Sequence, residues 1–407
     1  MATPKAEPSW GEHLGSKNWE NLLDPLDQTL RTIILRCGDF CQATYDAFDN
    51  DENSKYCGAS RYGKSSFFDK VMLDSASDYN VYSFLYATAR ISVPKAFILH
   101  SLSKECWDRE SNWFGYIAVT SDERSKNLGR REIYVAYHSP STRNSTLENS
   151  NRLMHGAGQD VTDAIVIGGS DSDSDDESGV PKVMSGWFTI YTSHNPKSRF
   201  TNLSLRSQLL IKIKELMEKY KDENPSVIVT GHSLGATEAI LASFDLAENA
   251  VADTVPVTAI VFGCPQVGNK EFNDQVMRHK NLKILHVRNK IDLLTRYPGP
   301  FLHYVDTGID FVIDTRKSPY LKNSKTPGDW HNLQAMLHVV AGWNGKKGEF
   351  HLMVKRSLAL VNKSCEFLKD EYLIPGSWWV EKNKGMIKNE DGEWIMASPD
   401  EEPVPEF

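Results

Sequence analysis

Apolar residues recur at three- and four-residue intervals through Leu30, Ile33, Ile34, Cys37, Cys41, Tyr45 and Phe48. That period predicts a helix over 23–49 with one buried face, opened by Asp24-Pro25. Further along, residues 113–120 and 132–136 read as two strands of one sheet edge joined by a polar turn. A second amphipathic helix, over 203–221, sets Leu205, Leu209, Ile213, Leu216 and Tyr220 on a single face. From residue 226 onward the segments alternate: strand 226–230, helix 236–248, strand 257–262, helix 270–279, strand 284–288. Strand–helix alternation of this kind builds a mostly parallel sheet with helices on both faces, so the expected fold class is α/β. A last helix is expected over 352–368.

The pattern breaks in two places. Residues 139–182 are rich in Ser, Asn, Gly and Asp and include Gly168-Gly-Ser-Asp-Ser-Asp-Ser-Asp-Asp-Glu177. So little apolar surface cannot hold a segment in place, and a mobile acidic loop is expected there, over the cover region. Asp171, Asp173 and Asp175 have calcium-loop spacing. However, Asp176 stands where that loop needs glycine and Lys182 where it needs a bidentate acid, so no metal site is expected. One domain over 1–373 is therefore predicted, followed by a tail over 374–407 whose last dozen residues are expected to be disordered.

Composition narrows the partners. The chain has 407 residues, 40% of them hydrophobic, and a net charge of -8. A nucleic-acid partner held by charge is excluded, and no run reaches the roughly 18 apolar residues that span a bilayer. The N-terminus lacks the apolar stretch of a secretory signal and is poor in arginine for a transit peptide, which predicts a cytoplasmic protein. Six scattered cysteines without CxxC spacing fit a reducing compartment, with Cys37 and Cys41 one helical turn apart and suited to burial.

The chemistry is concentrated at Gly231-His232-Ser233-Leu234-Gly235, between the apolar run 226–230 and the helix that follows. Glycines two before and two after the serine let a strained turn lift its hydroxyl clear of the sheet. The serine then sits at a helix N-terminus, whose free N–H groups favour developing negative charge. Such a hydroxyl needs a histidine base oriented by a carboxylate, in the chain order serine, acid, histidine. Asp292 is the preferred acid because it follows a strand at its carboxyl end, where sites in parallel sheets collect. Asp306, Asp310 and Asp314 alternate through a strand and are read as solvent-facing. His331, in the loop Gly328-Asp-Trp-His-Asn332, is preferred as base over His338, which lies inside an apolar helix. His232 and His138 show no acid partner.

These residues sit within longer matches: Trp19-Glu-Asn-Leu-Leu-Asp-Pro-Leu-Asp27, Ser111-Asn-Trp-Phe-Gly-Tyr116, Gly186-Trp-Phe-Thr-Ile-Tyr-Thr192, Gly231-His-Ser-Leu-Gly-Ala236, Pro265-Gln-Val-Gly-Asn269, Val287-Arg-Asn289 with Asp292, and Gly328-Asp-Trp-His-Asn-Leu333. Over nearly its whole length the chain resembles a plant class II phospholipase A1, a branch of the lipase class 3 family. The resemblance implies an α/β-hydrolase fold and calcium-independent removal of the sn-1 acyl chain from a lipid. It implies Ser233 as nucleophile, Asp292 as orienting acid, His331 as base and the Leu234 N–H as an oxyanion donor, with no cofactor and no metal. A lipid or small ester is the implied substrate, met in transient contact with a membrane surface.

The chain departs from this pattern after residue 136. Where the family carries Trp-Arg-Gly-Thr, with the threonine N–H and hydroxyl in the oxyanion hole, it reads Tyr137-His138-Ser139-Pro140. Proline has no N–H to give, and losing one such donor costs about 10²–10³ in rate. Glu238 also replaces an apolar residue of the nucleophile helix, and Cys264 replaces a glycine. Alongside the hydrolase, these departures leave two alternatives open at this level: an altered reaction on a specialised metabolite (acyl transfer, elimination or cyclisation), or a lipid-binding protein without turnover.

Overall fold

The computed structural model describes residues 8–49, 51, 53–88, 111–138, 164–166, 179–251, 254–299, 303–379 and 382–397. The expected acidic loop lies outside them for the most part, as do Pro140 and the last ten residues of the tail.

Seven strands make the central sheet: β1 (Tyr79–Thr88), β2 (Ser111–Thr120), β3 (Glu132–Tyr137), β4 (Ser226–His232), β5 (Val257–Phe262), β6 (Leu282–Asn289) and β7 (Ile309–Ile313). They lie side by side in sequence order. β2 runs antiparallel to both its neighbours, and β3 to β7 are mutually parallel. β2 and β3 are buried at every position, as strands covered on both faces must be.

The helices are α1 (Gln28–Ala47), α2 (Asp122–Leu128), α3 (Ser185–Thr192), α4 (Leu205–Lys219), α5 (Leu234–Asn249), α6 (Lys270–Arg278) and α7 (Leu333–Gly342). α1 and α7 pack together on one side of the sheet, while α3, α4 and α5 pack together on the other. The periodic residues of α1 are its inner face: Leu30, Ile34, Cys37, Phe40 and Cys41 have no exposed surface. Its start is Asp27 rather than the Asp24-Pro25 pair, because Asp27 accepts the Leu30 N–H at 2.9 Å and caps the helix.

Three expectations need correction. The link between β2 and β3 is α2, not a bare turn, because Ser121 caps it and accepts the Arg124 N–H. β1, which the pattern did not show, extends the sheet beyond β2. The helix over 352–368 does not form; only a short 3₁₀ turn, Leu358–Asn362, appears there. Local turn contacts and long-range pairs take its polar groups instead. Asn362 accepts the N–H groups of both Phe367 and Leu368, Arg356 binds Asp39 and Gln334, and the Lys363 ammonium reaches Asp46 at 2.6 Å. The described part of the tail packs as well: Trp378 is fully buried with Ala359, Met386 and Trp394 in a satellite core.

Candidate active site

β4 ends at His232 and α5 begins at Leu234, so Ser233 alone makes the turn, at φ 57° and ψ −125°. A left-handed serine is costly and persists only where its surroundings enforce it. The enforcement is visible on both sides. The Ser233 N–H donates to the Phe262 carbonyl at 3.0 Å, and its carbonyl accepts from Ala236 at 2.9 Å. A Cβ at Gly231 would collide with the Gly235 backbone, and one at Gly235 would come within 2.7 Å of the Tyr137 carbonyl. Both glycines are therefore needed to let strand, turn and helix close on one another. The Ser233 side chain makes no capping bond to α5 and its residue is half-buried, so the hydroxyl is not committed to the fold. Leu234 is the first residue of that helix, and the helix has no partner of its own for its N–H.

His331 ends a short helical turn, Pro327–Trp330, one residue before the Asn332 cap of α7. Asp292 lies three residues beyond β6. The structure joins them: His331 Nδ1 is 2.6 Å from Asp292 Oδ2, and both side chains are buried. The other carboxylate oxygen accepts the Leu294 N–H at 3.0 Å, and the Thr295 hydroxyl holds the Asp292 carbonyl, so the acid is fixed from two directions. Nδ1 must donate to the carboxylate, which leaves Nε2 as the basic nitrogen. Nε2 is buried and has no hydrogen-bond partner among the described residues.

The base is held next to the serine turn. Its ring lies against that of His232, with centroids 4.7 Å apart, and against Gly263 at the end of β5. Asn289, the last residue of β6, is fully buried. It donates to the Trp330 carbonyl at 2.9 Å and exchanges hydrogen bonds with Thr315, tying the histidine loop to the sheet. Arg31 of α1, also buried, donates to the Val340 and Trp343 carbonyls and so satisfies the C-terminal end of α7.

Asp306 and Asp314 are half-buried rather than solvent-facing, Asp314 paired with Arg316, and Asp310, His338 and His138 are held by the fold. Asp310 is only partly solvent-facing: it pairs with Arg288 at 2.6 Å and lies 3.3 Å from His286. Burial works against its charge, but His286 and Arg288 outweigh that and bring it to about 2. His338 is core, its Nε2 bound to the Ser318 hydroxyl at 2.7 Å, and burial brings it down to about 3. His138 is enclosed by Tyr45, Phe48 and Trp113 and is likewise brought to about 3 by burial. Cys264 is buried and its N–H donates to His286 Nε2 at 3.0 Å. Among the described residues no group of three or more His, Cys, Asp or Glu is placed to hold a metal ion.

Of the positions singled out from the sequence, Ser233, Leu234, Asp292 and His331 gather at the carboxyl ends of β4 to β6. Pro140 lies outside the described residues. Gly263 and Arg31 carry no signal for this site in the sequence, and Asn289 stands out there only as part of a motif. The signal for Asn289 was a polar residue ending an apolar strand.

Comparison with known proteins gives a consistent set. The family model for lipase (class 3) matches residues 152–302. Phospholipase A1-IIdelta of Arabidopsis thaliana is 72% identical over 408 residues, covering 98% of each chain. Phospholipase A1-II 5 of Oryza sativa subsp. japonica is 45% identical over 403 residues, covering 97% of this chain and 84% of its own. Phospholipase A1-IIbeta of Arabidopsis thaliana is 41% identical over 396 residues, covering 95% and 92%.

Proposed function

The chain belongs to the plant class II phospholipases A1 within the class 3 lipases, and from that membership we propose that it is a serine hydrolase that cleaves acyl esters of lipids. The observation that carries this reading is the buried His331–Asp292 pair at 2.6 Å, its outer nitrogen unpartnered beside a left-handed serine with an uncommitted hydroxyl.

The residues divide the work as follows. Ser233 Oγ attacks the ester carbonyl while His331 Nε2 takes its proton, and Asp292 stabilises the imidazolium that results. The carbonyl electron pair becomes an oxyanion, met by the Leu234 N–H and the positive end of α5. Collapse of that intermediate expels the lysolipid alkoxide, which receives the proton from His331. Water, deprotonated by the same nitrogen, then releases the fatty acid from Ser233. Cleavage at the sn-1 position, a role in lipid breakdown, transient contact with a membrane surface and a cytoplasmic location are finer parts of the same proposal. The likeness to relatives that are named phospholipase A1 supports the first.

A fluorophosphonate probe should label Ser233, and Ser233→Ala should abolish fatty-acid release from phosphatidylcholine vesicles. A wild-type rate no better than that of Ser233→Ala overturns the reading.

A further inference from the structure

The residue before the nucleophile has a partner set that the acyl-transfer chemistry does not use. In β4, alternation puts Thr230 and His232 on the same face, and that face meets α1. There the four-residue spacing of Cys37, Cys41 and Tyr45 runs alongside the two-residue spacing of the strand. The Thr230 hydroxyl, which donates to the Ile260 carbonyl at 2.7 Å, lies 3.4 Å from the Cys37 carbonyl and 3.1 Å from Cys41 Sγ, and one step further His232 Nδ1 meets the Tyr45 hydroxyl at 2.7 Å. The opposite ring nitrogen, Nε2, is 2.8 Å from the main-chain carbonyl of His331.

Only one proton arrangement satisfies both contacts of a neutral ring. A carbonyl can only accept, so Nε2 carries the hydrogen. Nδ1 is then bare and accepts from the Tyr45 O–H. Burial, and then the neighbouring His331, hold the His232 ring well below its usual range and keep it neutral. The result is a chain of two hydrogen bonds from α1, through the strand that delivers the nucleophile, to the backbone of the base.

We propose that His232 is a positioning residue that straps the His331 loop to the Ser233 turn, and that Tyr45 holds its ring in the plane this requires. His232 touches neither Asp292 nor the His331 ring nitrogens by hydrogen bond, and its action on the base is through the main chain. This rests on the reading that Ser233, His331 and Asp292 perform the acyl transfer.

The test is a double-mutant cycle on a soluble p-nitrophenyl ester, with kcat normalised to active sites titrated by a fluorophosphonate, so that any misfolded fraction drops out. Loss of the strap lets the base move, and His232→Leu should lower kcat roughly 10–100-fold with KM held within about twofold. His232→Gln keeps an amide N–H at the place of Nε2 and should retain kcat within about threefold. Tyr45→Phe should cost about fivefold in the wild type, the scale of one neutral hydrogen bond, and nothing further when Leu stands at 232. Wild-type kcat in His232→Leu would overturn the proposal, as would an equal Tyr45→Phe loss in both backgrounds or a His232→Gln loss as deep as that of His232→Leu. These outcomes stand apart from the triad itself, whose failure would appear as turnover in Ser233→Ala.

Discussion

Gly263 and His331 approach so closely that a methyl group on the glycine would lie 2.9 Å from the imidazole Cε1 and 3.1 Å from Nδ1. Gly263 also sits at φ +52°, where a side chain is strained whatever space it has. Gly263→Ala therefore acts twice. The backbone strain should lower stability by about 1–2 kcal/mol, read as a drop in Tm. The displaced ring should lower kcat by about 10²-fold in the protein that remains folded. Wild-type kcat in the folded variant would show that the ring has slack.

Asp292 fixes which imidazole nitrogen carries the proton. In Asp292→Asn the amide preserves shape but favours the wrong tautomer and leaves the developing imidazolium uncompensated. By the logic of serine-protease triads, kcat should fall on the order of 10⁴-fold, with little change in KM. Steady-state kinetics on a soluble ester check this. Activity within tenfold of wild type would mean that another acid orients His331.

Asn289 orients the histidine loop without touching the ring. Its amide donates to the Trp330 carbonyl next to His331 and to the Thr315 hydroxyl, and its carbonyl accepts the Thr315 N–H. Asn289→Ala leaves those buried groups unpaired, at a cost of about 1–3 kcal/mol in stability. The kcat loss should exceed what reduced folding explains, measured per active site by fluorophosphonate titration. Asn289→Asp should not rescue it, since a carboxylate accepts and cannot donate to Trp330.

How much of this was legible in the chain follows from which forces are local. The serine turn was readable because Gly231 is required by a contact within five residues, with the Gly235 backbone; Gly235 itself meets the distant Tyr137 and was legible only through its spacing from the serine. The βαβ rhythm was readable because each strand and helix carries its own periodicity. Asp292 was found by its place after β6, and His331 by its place in a loop rather than a helix. What failed was set by distant partners. The apolar stretch near Leu358 has helical composition, but Arg356 and Lys363 find partners elsewhere in the fold. Gly263 carried no signal because its neighbour, His331, lies far along the chain. His232 offers no acid partner for a sequence pattern to show, because its two neutral partners come from α1 and from the histidine loop.

Glu238, where the resemblance leads one to expect an apolar residue, bears on stability. It lies on the nucleophile helix with no exposed surface, and neither carboxylate oxygen has a hydrogen-bond partner among the described residues. Burial pushes its pKa well above the usual 4.5. The sign follows directly. A raised folded-state pKa means that the folded chain keeps a proton the unfolded chain releases, so there is no proton-linked penalty below about pH 4.5. The penalty grows as pH rises above that, by about 1.4 kcal/mol per unit, until the folded-state group ionises. Glu238→Leu should therefore be more stable than wild type by about 1–3 kcal/mol at pH 5, where the unpaired polar group still costs burial energy. The margin should widen at pH 8. Urea unfolding of both proteins across that range checks the slope, and a margin that is flat or narrows with rising pH would mean that the carboxylate is ionised and paired in the folded protein.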